Sequence, residues 1–145
     1  MVLYFAFGSN LDAEQMAERC PGSRAAFRAR LADHRIAFTY PSRRWGGGAA
    51  DIVAAPGACV WGLVWELADG QLAALDRYEQ GYRRIELLVR DADDRPHRAS
   101  SYSVRDKGEH PPTRHYLDKM LRWGERWQFP EDYLAQLRAV PTLGA

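Results

Sequence analysis

The chain has 145 residues, of which 46% are hydrophobic and 27% charged, a composition typical of one folded domain, which we expect to span residues 1–145. A formal net charge of +1 gives no basic surface that would favour nucleic acid or an acidic membrane as a partner. The longest apolar run, residues 58–65, is too short to cross a bilayer, and no signal-peptide pattern is present, so we expect a soluble cytoplasmic protein.

Short segments with the periodicity of strands or helices follow one another along the chain. Apolar, aromatic-rich runs bounded by glycine, proline or asparagine predict strands. Asp12, Asp69, Thr113 and Pro130 stand where residues that begin helices are expected. Short connections favour antiparallel pairing, so the order of elements predicts an α+β fold with a curved sheet or small barrel and helices around it.

In chain order the predicted elements are strand 2–7, helix 13–20, strand 29–41, a glycine loop at 46–48, strands 50–56 and 59–67 with a turn at Pro56-Gly57, helix 70–80, paired strands 82–90 and 97–105, and helices 114–127 and 131–140.

The first apolar strand stops abruptly at Gly8-Ser9-Asn10, directly before the first predicted helix. A tight turn in this position presents free backbone N–H groups, which attract a carboxylate or the oxyanion of an acyl transfer. Gly8 has no Cβ, so a ligand can approach the main chain closely. The simpler interpretation is a plain strand-to-helix turn, and the residues alone leave both open. Ser9 lies outside the G-x-S-x-G pattern, so we do not expect a serine nucleophile.

A carboxylate occupies the apolar face of the second predicted helix. Glu79 follows Leu72 by seven residues and Leu75 by four, so all three fall on one side of a helical wheel. Burying an unpaired carboxylate is costly, so the position needs an explanation. One interpretation is an ion pair with Arg83 or Arg84, or a side chain that bends out to water at the helix end. The other is a partly desolvated acid or base with a raised pKa.

Residue types that bind metals or cofactors form no recognisable motif. Cys20 and Cys59 are far apart and suit small core residues, and the four histidines lack metal-ligand spacing. The glycines at 46–48 fit neither the dinucleotide fingerprint nor a P-loop, and they predict a flexible loop or a place where a ligand meets the backbone. We therefore expect no metal and no cofactor.

Six segments resemble the γ-glutamylcyclotransferase family and its AIG2-like members. In order they are YFAFGSNL, RWGGGAADIV, VWGLVWEL, LDRYE, GYRRIEL and PPTRHYLDKM, and together they extend over most of the chain. The resemblance implies a small mixed, mostly antiparallel β-barrel flanked by helices. It also implies that the α-amine of a γ-glutamyl group attacks its own side-chain carbonyl, which yields 5-oxoproline and frees the attached amine or amino acid without a cofactor.

The resemblance also implies roles for particular residues. The family's catalytic carboxylate corresponds to Glu79, and a tyrosine that helps bind the substrate corresponds to Tyr116. Glu79 would take a proton from the attacking ammonium and pass it to the leaving amine. This sequence has Phe7 where tyrosine is usual, and only Gln80-Gly81 separates Glu79 from Tyr82, where a longer loop is usual. The family's substrate-binding loop corresponds to Phe7, Gly8, Ser9, Asn10, Leu11 and Asp12.

The sequence thus favours an enzyme that cyclises a small-molecule γ-glutamyl substrate. The alternative is a non-catalytic protein that binds a small carboxylate in the Gly8-Ser9-Asn10 turn, and a third hypothesis is hydrolysis to free glutamate. The sequence does not identify which γ-glutamyl compound is the substrate. It also leaves a homodimer open, because Trp123 and Trp127 suit a core or an interface equally.

Overall fold

The structure is a computed structural model that describes residues 1–144, within which five strands form a closed barrel flanked by four α-helices. The strands are β1 (Val2–Ala6), β2 (Arg24–Ser42), β3 (Gly47–Leu67), β4 (Tyr82–Arg90) and β5 (Pro96–Val104). The helices are α1 (Ala13–Arg19), α2 (Gln71–Asp76), α3 (Arg114–Arg126) and α4 (Glu131–Arg138), and a 3₁₀ turn at Ser9–Leu11 joins β1 to α1.

The barrel closes because β1 pairs on both of its edges. The spatial order of the strands is β1-β3-β2-β4-β5, with β1 antiparallel to β3 and parallel to β5, where Tyr4 faces Ser100. The pairs β2–β3, β2–β4 and β4–β5 are all antiparallel. The prediction of an α+β fold with a small mixed, mostly antiparallel barrel and flanking helices is therefore confirmed.

The turn predicted at Pro56-Gly57 is wrong, because the chain runs through these residues within β3. The residues between Ala54 and Cys59 bulge against Asp33 of β2. The Gly57 N–H donates to Asp33 Oδ1 at 3.0 Å, and Gly57 adopts φ +83°. Proline is tolerated at such a bulge because no ladder hydrogen bond is lost there. The proline and glycine therefore bend one long strand and do not separate two short ones.

The glycine-rich stretch at 46–48 is only partly a loop. Gly46 ends the turn between β2 and β3 with φ +72°, whereas Gly47 and Gly48 are the first residues of β3. A Cβ at Gly48 would lie 1.7 Å from the carbonyl oxygen of His110, and the Gly48 N–H donates to the carbonyl of Pro111 at 2.9 Å. The glycine thus permits a second chain segment to cross directly over the strand.

The second helix is shorter than the sequence predicts. α2 begins after Gly70, which has φ +88° and offers no side-chain cap, so Asp69 does not cap it. It ends at Asp76, and the next N–H groups, those of Tyr78 and Glu79, bond to carbonyls three residues back. Such bonds tighten the chain into a turn and end the α-helical repeat. Glu79 therefore lies in the turn between α2 and β4, and the helical-wheel argument does not apply to it.

The two tryptophans of the α3 region pack inside their own chain. Trp123 is buried, and the Trp127 ring lies 5.9 Å from the Trp123 ring and 6.0 Å from the Trp65 ring. The Trp127 Nε1–H donates to the carbonyl of Leu11 at 2.8 Å. These contacts explain both residues without an interface, and the homodimer stays a prediction. Among residues 1–144, no helix is both long enough and apolar enough to cross a membrane.

Candidate active site

A cavity of about 430 Å³ opens beside the end of β1, and three turns of the chain surround it. Gly8, Ser9 and Asn10 line it from the connection between β1 and α1, and Glu79 lines it from the turn after α2. The turn between β2 and β3 supplies a third wall. The sequence predicts that the first loop and Glu79 share one pocket, and the structure brings them together there. Within residues 1–144, no group of three histidine, cysteine or acidic side chains is placed to hold a metal ion.

The loop from Gly8 to Asn10 (hereafter the Gly8 loop) presents backbone donors at the edge of the cavity. The first hydrogen bond of its 3₁₀ turn runs from the Leu11 N–H to the Gly8 carbonyl at 3.1 Å. The N–H groups that precede this bond have no partner within the turn, and that of Ser9 lies against the Tyr116 hydroxyl group. A Cβ at Gly8 would lie 3.0 Å from the Tyr116 hydroxyl, so a side chain there would crowd the cavity wall.

Asn10 is the buried centre of a hydrogen-bond network that connects this loop to Glu79. Its Nδ2 donates to the Tyr4 hydroxyl at 2.9 Å and to Glu79 Oε1 at 3.3 Å. Its Oδ1 accepts from Gln15 Nε2 at 2.8 Å and from Arg19 Nη1 at 3.1 Å. Both ends of the amide are therefore occupied, which fixes the Asn10 side chain and holds one oxygen of the Glu79 carboxyl group.

The Glu79 carboxyl group lies in an environment that favours its neutral form. Burial raises the pKa of Glu79 to about 7, opposed by the positive charges of Arg19 and Arg44 and assisted by the negative charge of Asp76. A carboxyl group with this pKa is about half ionised at neutral pH, so it can both accept and donate a proton there. The raised pKa, one of the two alternatives that the sequence left open, is thus present, although Glu79 lies in a turn and not on a helix.

The structural ion pair that the sequence left open does not form. Arg84 binds Asp76, with its Nη2 at 2.5 Å from Asp76 Oδ2. Asp76 also accepts a hydrogen bond from the Tyr102 hydroxyl at 2.5 Å. No ion pair within residues 1–144 joins Glu79 to Arg83 or Arg84. The carboxyl group of Glu79 is therefore left to its contact with the Gly8 loop and to the cavity.

Tyrosine side chains form much of the remaining wall, and two of them bind the same stretch of β3. Tyr116 and Tyr82 both line the cavity. The Tyr116 hydroxyl accepts from the Ala50 N–H at 2.9 Å, and the Tyr82 hydroxyl donates to the Ala50 carbonyl at 2.7 Å. Burial raises the pKa of both tyrosines well above the ordinary value, so both stay neutral. Tyr116 is thus placed at the predicted site, while sequence reasoning did not single out Tyr82.

The predicted binding segment is not brought into the cavity as a whole. Phe7 lines it beside the Gly8 loop, but Leu11 and Asp12 do not. Leu11 is buried in the core. Asp12 accepts from the N–H groups of Glu14 and Gln15, as its predicted role at the start of α1 requires. It also pairs with Lys119 at 2.8 Å, so both Leu11 and Asp12 hold the loop in place from behind.

Arginine side chains surround the cavity, and sequence reasoning missed all of them. Arg19 reaches it from the last turn of α1, Arg43 and Arg44 from the turn between β2 and β3, and Arg77 from the turn after α2. Their positions are separated by up to 58 residues in the chain, so no local pattern unites them. The pair Arg43-Arg44, which Trp45 separates from the glycine-rich stretch, was the one available signal.

Comparison with known proteins gives the family. A family model described as the AIG2-like family matches residues 59–137. The γ-glutamylcyclotransferase of Mus musculus is 32% identical over 146 residues, which cover 95% of this chain and 78% of that protein. The Homo sapiens γ-glutamylcyclotransferase gives the same identity and coverage. The chain belongs to the γ-glutamylcyclotransferase family.

Solved structures agree with this membership. A structure titled γ-glutamyl cyclotransferase has a TM-score of 0.94 at 30% identity, covering 99% of this chain and 90% of that one. YkqA from Bacillus subtilis, at 22% identity, shares the fold alone, with a TM-score of 0.75 over 97% of this chain and 55% of its own. The γ-glutamylcyclotransferases are enzymes, and the barrel seen here is the one their fold provides.

Proposed function

We propose that this protein cyclises a γ-glutamyl amide to 5-oxoproline, releasing the attached amine or amino acid, with Glu79 as the general acid and base. One observation carries the proposal: a carboxyl group with a pKa of about 7 lies in the same cavity as the backbone donors of the Gly8 loop. The side chain of Asn10, which belongs to this loop, donates from Nδ2 to Glu79 Oε1 at 3.3 Å. Relatives named γ-glutamylcyclotransferase support the reaction class.

The substrate presents two anionic groups, and we assign them to different partners. Its α-carboxylate is charged throughout the reaction, so a guanidinium group suits it, and Arg19 lines the cavity beside Asn10. The carbonyl oxygen becomes negative only when the amine attacks. Fixed, neutral N–H groups stabilise such a developing charge without reorganisation, so the donors of the Gly8 loop suit the oxyanion.

Glu79 carries the proton between the two nitrogen atoms of the substrate. In its ionised form it removes a proton from the α-ammonium group, and the resulting amine attacks the γ-carbonyl carbon to form a tetrahedral intermediate. The bond from this carbon to the leaving nitrogen then breaks as Glu79 returns the proton to that nitrogen. The ring nitrogen gives its second proton to the ionised Glu79, and the released amine takes up this proton and leaves as an ammonium group. A carboxylate with a pKa of about 7 is a stronger base than one in water, and its conjugate acid is still able to protonate an amine.

Ring closure joins two groups of one molecule, so positioning supplies a large share of the catalysis. The tyrosine wall is suited to this task because its hydroxyl groups are held by the backbone. Tyr82 and Tyr116 are fixed against the carbonyl and N–H of Ala50, respectively. A wall fixed in this way can hold the γ-glutamyl chain folded, with its amine against its own carbonyl.

The test is incubation with a panel of γ-glutamyl amino acids and γ-glutamylamines, with products identified by mass spectrometry. We expect 5-oxoproline and the free amine in equal amounts. Free glutamate in place of 5-oxoproline would indicate hydrolysis. Binding of γ-glutamyl compounds without any product would favour the alternative, a non-catalytic protein that binds small carboxylates.

A further inference from the structure

The cavity carries more positive charge than a γ-glutamyl group can neutralise. Arg19, Arg43, Arg44 and Arg77 all line it, and Glu79 is the only acidic residue among its lining residues within the described part of the chain. The α-ammonium and α-carboxylate of a γ-glutamyl group cancel each other. A surplus of positive charge therefore faces the remainder of the substrate, which is the leaving amine.

Within residues 1–144, half of the arginines outside the cavity have a carboxylate partner, whereas none of the cavity arginines does. Arg30, Arg98 and Arg138, for example, each lie within 4.0 Å of an acidic side chain. None of the four cavity arginines has such a partner anywhere in residues 1–144. Four guanidinium groups that line one cavity, with Glu79 as the one acidic lining residue within the described part of the chain, form a site suited to an external anion.

Aromatic contacts hold two of the arginines without consuming their charge. The guanidinium carbon of Arg19 lies 4.7 Å from the centre of the Tyr78 ring, and that of Arg44 lies 5.7 Å from it. A guanidinium group stacked on a ring keeps its N–H edge free for an oxygen ligand. Tyr78 therefore holds both groups at the cavity without neutralising their charge, although Arg19 also donates one N–H to Asn10 Oδ1.

The other two arginines reach the cavity from two different turns of the chain. Arg43 belongs to the turn between β2 and β3, and Arg77 to the turn between α2 and β4. Glu14 and Glu18 line a smaller neighbouring cavity that shares Arg19 and Arg44, whereas Arg43 and Arg77 line no part of it. Of the four cavity arginines, Arg43 and Arg77 are thus the two that share a cavity with no acidic lining residue other than Glu79, within the described part of the chain.

We propose that the preferred substrate is a γ-glutamyl compound whose leaving amine carries two negative charges, such as a dicarboxylic amino acid, and that Arg43 and Arg77 select it. This inference rests on the proposed cyclisation and adds the identity of the leaving group. The first carboxylate of the leaving amine lies near Arg44, as it would in any γ-glutamyl amino acid. The second, which a neutral amino acid lacks, is placed between Arg43 and Arg77.

The decisive comparison uses γ-glutamyl-glutamate and γ-glutamyl-glutamine, which have nearly the same shape and differ by one charge. Two partly exposed contacts to that charge, each within the usual range for an exposed ion pair, favour γ-glutamyl-glutamate by roughly tenfold in kcat/KM. The two substrates should differ in KM and not in kcat, because the contact is made equally in the bound substrate and in the transition state. It should also decline as the salt concentration rises.

The variant Arg43→Gln/Arg77→Gln is expected to reduce that preference to about twofold or less, since the remaining arginines contact other groups. The control Arg35→Gln/Arg83→Gln removes two exposed arginines that do not line the cavity, and it should keep the wild-type preference. Binding of both dipeptides to Glu79→Gln, measured by calorimetry, gives the same comparison without turnover.

The possible results separate the two proposals. Release of 5-oxoproline from both dipeptides with equal kcat/KM and equal affinity would overturn the inference and leave the cyclisation standing. An equal loss of preference in the control variant would also overturn it, because the effect would then come from net charge. Absence of 5-oxoproline from every γ-glutamyl compound would overturn the cyclisation, and this inference with it.

Discussion

Replacing Glu79 by glutamine should stabilise the protein above neutral pH, although it removes a residue that we place at the centre of the site. The folded protein raises the pKa of Glu79 from 4.5 to about 7, chiefly through burial. Below the lower value, Glu79 is protonated in both the folded and the unfolded chain. Between the two values the unfolded chain ionises first, so the stability of the wild type falls as the pH rises through this interval. Above about 7 both states are ionised and the penalty is constant.

The size of the effect follows from the two pKa values. Each pH unit between them corresponds to about 1.36 kcal/mol, so Glu79 lowers the free energy of unfolding by about 3 kcal/mol once the pH exceeds the upper value. Glutamine cannot ionise, and its Oε1 can still accept the hydrogen bond that Asn10 donates to Glu79. The variant therefore avoids the penalty while the contact with the Gly8 loop remains.

Urea denaturation, followed by tryptophan fluorescence from about pH 4 to about pH 9, measures this difference. The free energy of unfolding of Glu79→Gln minus that of the wild type should be near zero at the acid end and rise to a plateau above neutrality. Glu109→Gln, which removes an exposed carboxylate outside the cavity, controls for the change in net charge. A difference that is the same at every pH would refute the reasoning, since it would mean that Glu79 titrates alike in both states.

Three further substitutions test how the barrel holds the site. Asp51 is fully buried and lies 2.6 Å from Lys107 Nζ, so Asp51→Asn should lower the free energy of unfolding by about 3 kcal/mol in urea, and an unchanged midpoint would contradict the pairing. Tyr116→Phe leaves the buried Ala50 N–H without its acceptor and should cost about 2 kcal/mol in the same assay; a loss below about 0.5 kcal/mol would mean that another group accepts this bond. Gly62→Ala places a Cβ 2.3 Å from a carbonyl oxygen of β1 and should cost about 3 kcal/mol or prevent folding, whereas a wild-type melting temperature would show that the strands can separate.

Local patterns predicted the elements well where one segment determines its own structure. Thr113 accepts a hydrogen bond from the Tyr116 N–H at the start of α3, and β4 and β5 form the hairpin that their polar connection indicates. The Pro56-Gly57 stretch departs from its local pattern because its structure depends on β2. Asp33 of that strand receives the Gly57 N–H, and a turn dipeptide is thereby held within a bulge. No feature of residues 50–67 alone contains that information.

The site shows the same division between local and distant information. The sequence pointed to Glu79 through an apolar helical face that extends only to Asp76 in the structure. Glu79 is nevertheless half-buried, because the turn after α2 leads the chain against the barrel. The guanidinium groups of Arg19 and Arg44 come from the end of α1 and from the turn between β2 and β3. Their convergence is a result of barrel closure, and a single sequence carries no pattern for it.

The role of Glu79 can be tested most directly by measuring 5-oxoproline release from one γ-glutamyl dipeptide by the wild type and by Glu79→Gln, with calorimetric binding of the same dipeptide to both. We expect the wild type to turn over and the variant to bind with similar affinity but form product at least about 100-fold more slowly, as the loss of a general acid–base group requires. Product formation at the wild-type rate by a variant that cannot exchange a proton would show that Glu79 is not the acid–base group.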